Sequence, residues 1–288
     1  VMAGSMFAAK RSSTAFAYDA VVEEVSNGFS YYYWLKEQEA EPTVIAELQG
    51  FAGSVFGSDN VLVGIGADNA NEFDGSIKSF IESLGESTVS HELKIKPWKK
   101  SNDAVVIPGD ISFSGMAADF GGLYNGTTFL MSHIVSLDYL WNEVRVKGGA
   151  YGCMNTFLRS GESYFVSYRD PNLSDTLDVY DRIPEYIKSF SPDERDMTKY
   201  IIGTFSALDT PMNPEAKGSR SLSAYLEGIT YEQIQKERNE ILNAQPEDIR
   251  RLADLVEAVL KKDSICVIGN ENMIKESAGL FENVEKLI

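Results

Sequence analysis

The sequence predicts an α+β fold built from two similar domains, of which the first is incomplete. A length of 288 residues is enough for about two domains, each with its own hydrophobic core. In the second part of the chain, short β-branched runs precede a row of helices and one late strand. That is the order of an antiparallel-rich sheet with helices packed on one face. Residues 264–277 (SICVIGNENMIKES) also echo residues 60–80 (NVLVGIGADNANEFDGSIKSF), and this weak repeat indicates two copies of one domain type.

The first block, residues 1–85, is rich in helices and poor in strands. Between its helices, residues 60–66 form a short β-branched run that predicts a buried strand. One strand is not a sheet, so its partners are either missing or supplied by something else. The helices are predicted over residues 3–24, 29–39, 43–56, and from Asp68 or Asn69 to Leu84.

Residues 86–102 are polar and carry a cluster of lysines, which predicts a linker. The second domain, residues 103–288, begins with strands predicted over 104–108 and 111–117. Its later elements are an antiparallel hairpin over 151–158 and 162–168, four helices, a strand over 264–269, and a short helix that starts at Asn270.

A helix is predicted over residues 124–145, and Gly148-Gly149 should end it. Its apolar stripe, which we expect to face the core, consists of Ile134, Leu137, Leu140, Trp141 and Val144.

Composition and charge exclude several classes of function. The formal net charge of −17 disfavours nucleic acid and anionic membrane as partners, because phosphate binding relies on clustered Lys and Arg. No apolar run approaches the roughly 18 residues that a membrane span needs. Lys10 and Arg11 follow the apolar start rather than precede it, so we do not expect residues 1–9 to be a secretory signal. A start at Val1 instead of Met predicts a fragment that begins partway through a helix.

The two cysteines lie far apart with no CxxC pattern, so neither a disulfide framework nor a thiolate zinc site is indicated. We therefore expect an intracellular protein, in a bacterial cytoplasm rather than an organelle matrix.

No complete catalytic centre is visible in the residues alone. A hydrolytic zinc site needs three protein ligands, and neither His91 nor His133 has the partner of an HExxH or HxxEH helix. We expect both histidines to be surface or packing residues, and no metal to be bound by this chain. Nucleophile-elbow and phosphate-loop motifs are also missing from the sequence.

One stretch of the sequence carries a motif that is specific enough to indicate a family. Residues 140–152 (LWNEVRVKGGAYG) resemble the hallmark of the C-terminal half of pitrilysin/insulinase-type metallopeptidases, and within them the presequence-protease subfamily. The resemblance continues through residues 167–172 (SYRDPN), through Asp209-Thr210-Pro211 to Lys217-Gly218, and back to residues 106–109 (VIPG). Several separate sequence motifs of this family therefore occur in the expected order and at the expected spacing.

The resemblance implies four similar domains, in two halves that close over a peptide chamber. It implies that an N-terminal half, absent here, carries the HxxEH helix and binds Zn, because this chain has no HxxEH. Residues 1–85 would then be the later part of the third peptidase domain and residues 103–288 the fourth. The isolated chain should be inactive, and the complete protein should be a metalloendopeptidase that degrades unfolded peptides.

The resemblance also implies catalytic roles for Arg145 and Tyr151, which would reach across to the substrate. Both groups can stabilise the negative oxygen of a transition state, Tyr as a neutral donor and Arg as a permanent cation. The intervening Gly148, Gly149 and Ala150 are expected to contact substrate, although the two glycines also suit a turn. On the residues alone, Arg145 could instead offset the dipole of its helix, and Tyr151 could be a core aromatic of the hairpin.

The partners implied are the N-terminal catalytic half and unfolded peptides, basic ones if part of the net charge lines the chamber. Two alternatives stay open. The chain could be a separate non-catalytic subunit that pairs with a zinc-bearing one, or a structural relative with no protease role.

Overall fold

The computed structural model describes residues 4–38, 43–87 and 94–287. It divides into two compact units, one formed by Val1–Tyr31, Ile95–Leu208 and Gln235–Ile288, the other by Tyr32–Lys94 and Asp209–Ile234. The predicted division into residues 1–85, 86–102 and 103–288 stays a prediction.

The first unit contains a six-stranded mixed sheet. Its strands are β1 (Asp103–Val106), β2 (Ser112–Asp119), β3 (Gly152–Phe157), β4 (Glu162–Tyr168), β5 (Ser264–Gly269) and β6 (Asn283–Lys286). They lie in the order β3-β4-β2-β5-β1-β6, with β1 parallel to both neighbours and the remaining pairs antiparallel. The predicted α+β class is confirmed, and so are the predicted hairpin and the late strand.

The helices are α1 (Gly4–Ser13), α2 (Tyr18–Asn27), α3 (Phe29–Gln38), α4 (Val44–Val55), α5 (Asp74–Ser83), α6 (Gly126–Ile134), α7 (Leu173–Asp181), α8 (Ile183–Ser189), α9 (Glu194–Leu208), α10 (Pro214–Leu226), α11 (Tyr231–Leu242), α12 (Pro246–Arg250), α13 (Ala253–Leu260) and α14 (Glu271–Glu276). A π-helix, Val135–Lys147, continues directly from α6. The helix predicted over residues 3–24 is two helices, and more than four follow the hairpin. No helix within the described ranges is long and apolar enough to cross a membrane.

The main core of the first unit lies between one face of the sheet and the helices that precede and follow the hairpin. Met116, Phe165 and Val267 from the strands meet Leu130 of α6 and Ile187 of α8 there, all buried. Alternate strand residues point to opposite faces, so the register of each strand fixes which side chains enter this core.

The opposite face of the sheet is covered by α1. A Cβ at Gly115 in β2 would lie 2.5 Å from the backbone carbon of Ala8, so only glycine permits this close approach. Ala9 packs with Ala117, Tyr164 and Val166 in a small second cluster. Ion pairs attach the helix to the sheet at its polar end, from Lys10 to the buried Glu162 and from Arg11 to Asp103 and Glu285.

In the second unit, the strand predicted over residues 60–66 is wrong. Ser58–Asn60 form a 3₁₀ turn, and residues 61–66 pair with no strand in the described part of the chain. Leu62 and Ile65 remain 54% and 39% exposed, so the apolar run is not buried as predicted. A β-branched run becomes a strand only where a neighbouring strand satisfies its backbone groups, and this segment has none.

Candidate functional site

The π-helix positions the first candidate residue, Arg145. From Val135 onward the backbone closes wider turns, and the last one runs from the Gly148 amide to the Glu143 carbonyl at 3.0 Å. π-turns are rare and are found frequently at functional sites. They also alter the side-chain period, and Leu137 and Trp141 of the predicted core stripe are 54% and 40% exposed. The stripe prediction is therefore wrong at these two positions and confirmed at Ile134, Leu140 and Val144.

Asp138 fixes the first turn of the π-helix. Its carboxylate accepts hydrogen bonds from the Tyr186 hydroxyl at 2.7 Å and the Tyr200 hydroxyl at 3.1 Å. Burial, together with this carboxylate, raises the pKa of Tyr186 and raises that of Tyr200 to about 12. Both hydroxyls therefore stay protonated and keep donating over the physiological pH range. Helices α8 and α9 thus hold the helix that carries Arg145.

A tight turn at Gly148, Gly149 and Ala150 ends the π-helix, as predicted. A Cβ at Gly148 would lie 2.6 Å from the carbonyl oxygen of Val144, and Gly149 has a φ of +80°. The Gly149 amide donates to Arg145 at 3.0 Å and the Ala150 amide donates to Val144 at 3.2 Å.

The amides of this turn are therefore engaged within the chain, and the Ala150 methyl is buried in the core. A substrate contact, which stays a prediction for all three residues, would fall most readily to the exposed Gly149.

Tyr151 follows this turn, directly before edge strand β3. Its amide donates to the carbonyls of both Tyr168, at 3.1 Å, and Arg169, at 3.3 Å. Its ring meets the Tyr168 ring edge-on, with centroids 5.6 Å apart. Tyr151 is 64% exposed, so the alternative of a core aromatic is excluded.

The structure brings Arg145 and Tyr151 together. The Arg145 guanidinium carbon lies 5.5 Å from the centre of the Tyr151 ring and 4.0 Å from that of Trp141. Across residues 4–38, 43–87 and 94–287, Arg145 forms no ion pair with a carboxylate. The Arg145 guanidinium thus lies beside two aromatic rings, one of which belongs to the exposed Tyr151.

The neighbouring edge of the sheet is closed to a further strand at its centre. The Asn155 amide of β3 donates to the Ser136 hydroxyl at 3.0 Å, and its carbonyl accepts from the Ser132 hydroxyl at 3.1 Å. Helical serines therefore occupy the backbone groups with which an added strand would pair.

The described residues do not fit a zinc ion. No group of three or more His, Cys, Asp or Glu side chains that could hold a metal occurs among them. His133 is half-buried, packs with its Nε2 against Gly203, and has a pKa lowered by burial. His91 lies outside the described residues. Cys153 and Cys266 are buried free thiols.

The sequence interpretation missed Trp141 and Asn172 as parts of this site. Trp141 stands four residues before Arg145, a spacing that places two side chains on one helix face and could have predicted their contact. The Asn172 side chain contacts the turn from another part of the chain. In the sequence, only the SYRDPN motif of residues 167–172 indicated that this segment matters.

The fold is that of an M16-type peptidase domain. A peptidase M16 inactive domain from Pseudomonas fluorescens superimposes with a TM-score of 0.55 at 17% identity, over 80% of this chain and 58% of that one. A predicted insulinase family protease from Yersinia pestis superimposes with a TM-score of 0.52 at 11% identity, over 84% of this chain and 59% of that one. At such identities the likeness concerns the fold alone.

The chain belongs to the family of the PreP C-terminal domain, whose model matches residues 102–271. It is 37% identical to Protein HypA of Clostridium perfringens over 274 residues, which are 92% of this chain and 28% of that protein. It is 31% identical over 282 residues to Presequence protease 1, chloroplastic/mitochondrial, of Arabidopsis thaliana, covering 91% and 26%. The predicted resemblance is confirmed, and the chain spans about a quarter of the length of these relatives.

Proposed function

We propose that this chain forms most of the non-zinc-binding C-terminal half of a metalloendopeptidase that degrades unfolded peptides. Its sheet and helices would form one wall of the chamber, and Arg145 and Tyr151 would act on the substrate. The observation that carries the proposal is the contact between an exposed Tyr151 and the Arg145 guanidinium, which forms no ion pair with a carboxylate among the described residues. Membership of the PreP C-terminal domain family supports it.

The chemistry follows from what each group can donate. During attack on a peptide bond, the carbonyl oxygen becomes negative and gains most from donors that are already in place. The Tyr151 hydroxyl would donate to that oxygen without adding a charge. The Arg145 guanidinium, with several donors in a planar fork, would hold substrate carbonyls or support the tyrosine.

The zinc ion of the complete protein would belong to the N-terminal half, because the described residues of this chain do not fit one. The relatives carry the matched segment within much longer chains, which supports a zinc-bearing half on the same polypeptide. A separate zinc-bearing subunit is the alternative. We also propose an intracellular location in a bacterial cytoplasm, which the bacterial relative supports.

The test is steady-state kinetics of the complete protein with a fluorogenic peptide. Tyr151→Phe and Arg145→Ala should each lower kcat by about 10²- to 10³-fold, the usual effect of losing one transition-state donor, with a smaller change in KM. Zinc content and thermal unfolding should stay unchanged.

The matched controls are Tyr231→Phe and Arg251→Ala. Tyr231 is 71% exposed, and so is the side chain of Arg251. Turnover in the two site variants equal to that of these controls would refute the proposal.

A further inference from the structure

The corner between β4 and α7, residues 168–172, frames the candidate site. The carbonyls of Tyr168 and Arg169 share the Tyr151 amide as their donor, and the Tyr168 ring supports the Tyr151 ring. Arg169 has a φ of +49°, in the left-handed region that non-glycine residues seldom adopt. Strained residues of this kind are kept where the surrounding structure fixes them, often at functional sites.

Asn172 reaches from this corner to the turn. Its side-chain Nδ2 donates a hydrogen bond to the carbonyl oxygen of Gly148. Gly148 lies three residues after Arg145 and three before Tyr151, so the bond holds the midpoint of the segment that joins them. Carbonyls at the end of a helix lack partners within it, and this one is bonded to another element.

Asn172 is itself held firmly. Its backbone amide donates to one carboxylate oxygen of Asp170 at 2.9 Å, and the Thr176 hydroxyl donates to the other oxygen of that carboxylate at 2.6 Å. Asp170 is fully buried, and its backbone exchanges two hydrogen bonds with Ser112 of β2, at 2.8 and 2.9 Å. The chain of contacts therefore runs from β2 through Asp170 and Asn172 to the turn.

This arrangement leaves little freedom in the distance between the two functional side chains. The π-helix carries Arg145 and is fixed at Asp138, whereas Tyr151 is fixed on β4. Among the hydrogen bonds of the described residues, the one from the Asn172 side chain ties the turn between them to the corner.

From this geometry we propose that Asn172 is a positioning residue of the peptidase, holding Gly148 so that Arg145 and Tyr151 address the same substrate oxygen. The inference rests on the proposed function. Asn172 does not act on substrate; it acts through the turn. A misplacement of about 1 Å in a catalytic group can cost about 10²-fold in rate, so a small shift of the turn is sufficient.

The experiment uses Asn172→Asp and Asn172→Leu in the complete protein. The first keeps the shape of the side chain but replaces its donor by a charged acceptor, and the second keeps the branching without polar atoms. Each should lower kcat by about 10- to 100-fold, by the same misplacement, with little change in KM or zinc content. A purely structural role would lower thermal stability and leave kcat unchanged.

Asn270→Asp is the matched control. The Asn270 Nδ2 also donates to a glycine carbonyl, that of Gly109, at 2.6 Å, but it contacts neither Arg145 nor Tyr151. This variant should lose stability like Asn172→Asp and keep full turnover.

A double-mutant cycle shows whether Asn172 acts through Tyr151. In a Tyr151→Phe background, Asn172→Asp should lower kcat by far less than it does alone, because residues that act as a unit are not additive. Full additivity, or kcat equal to that of Asn270→Asp, would overturn the inference while Tyr151→Phe and Arg145→Ala still uphold the proposed function. Normal turnover in Tyr151→Phe and Arg145→Ala would overturn both.

Discussion

The guanidinium carbon of Arg145 lies 4.0 Å from the centre of the Trp141 ring, one helical turn earlier on the same helix. An arginine over the face of a tryptophan is attracted by the ring quadrupole, and this pair is close. Trp141 is 40% exposed although it is large and apolar. The exposed ring contacts Arg145, and this contact restricts the positions that the guanidinium can take.

We expect Trp141→Leu to lower kcat of the complete protein about 2- to 5-fold, the equivalent of about 0.5–1 kcal/mol for an exposed cation–π contact. The substitution keeps an apolar side chain and removes only the ring face, so Arg145 becomes more mobile. Leu137→Ala is the control, since Leu137 is also exposed on the π-helix. Equal kinetics in the two variants would show that the ring does not orient Arg145.

Much of this site could be predicted from local sequence. The LWNEVRVKGGAYG word placed Arg145 before a glycine turn and Tyr151 after it, and the structure has that order. Turn chemistry around Gly161 predicted the hairpin of β3 and β4 correctly. These features depend on residues close in sequence, where backbone preferences decide the conformation.

The missed features depend on distant residues. The bond from Asn172 to Gly148 joins two elements, and nothing in either segment alone indicates it. The π-helix shifts the apolar period, so a stripe counted at helical spacing misplaces Trp141. The run over residues 60–66 has strand composition, yet a strand requires a partner that composition cannot supply.

Gly149→Ala should destabilise the protein by about 1–2 kcal/mol, because a side chain in the left-handed region meets its own backbone. The φ of Gly149 is +80°, and its Cβ would otherwise meet only Pro171, at 3.7 Å. The same substitution should lower kcat, since the turn separates Arg145 from Tyr151. Thermal unfolding and kinetics measure the two effects.

Gly122→Ala is the control that introduces the same backbone strain away from the candidate site. Gly122 has a φ of +68° and open space around its Cα, and it takes no part in the turn. This variant should show a similar loss of stability with kcat unchanged. If both variants lose turnover equally, the effect of Gly149→Ala reflects stability alone.

Arg11→Met should be strongly destabilising. The guanidinium of Arg11 contacts the carboxylates of Glu24 at 2.5 Å and Asp103 at 2.7 Å, and the Glu24 side chain is 1% exposed. Removing one partner of a buried ion pair leaves an uncompensated charge, which costs about 3–5 kcal/mol. Urea unfolding followed by fluorescence suits this site, because Arg11 lies over Trp98 at 5.5 Å.

The control for this substitution is Lys199→Met, which removes an exposed ion pair with Asp196. Exposed pairs contribute little, because water screens them and holding two long side chains costs entropy. The variant should unfold like the parent protein. A midpoint for Arg11→Met within error of this control would mean that α1 does not depend on its ion pairs.

The isolated chain should bind no zinc tightly and should hydrolyse no peptide. A hydrolytic zinc site needs three protein ligands, and the described residues offer no such group. Metal analysis after dialysis, with a fluorogenic peptide assay on the same sample, measures both properties. Stoichiometric zinc together with chelator-sensitive turnover would contradict the expectation.

The complete protein should prefer basic over acidic peptides at low ionic strength. This chain carries a net charge of −17, and the part of it that lines the chamber would attract cationic substrates. Arg145 and Arg169 oppose this locally, so the preference should grow when basic residues lie some distance from the cleaved bond. The measurement is kcat/KM for length-matched basic and acidic peptides in competition.

Salt separates a charged chamber from an acidic outer surface. The screening length shrinks from about 10 Å at 0.1 M to about 3 Å at 1 M, so long-range attraction should fade over this range. A preference for the basic peptide that disappears at high salt indicates an electronegative chamber. A preference that persists at 1 M instead indicates direct contacts at the cleavage site. Equal kcat/KM for both peptides at low salt would mean that the acidic residues face outward and serve solubility, because charges beyond the chamber wall cannot steer a peptide within it.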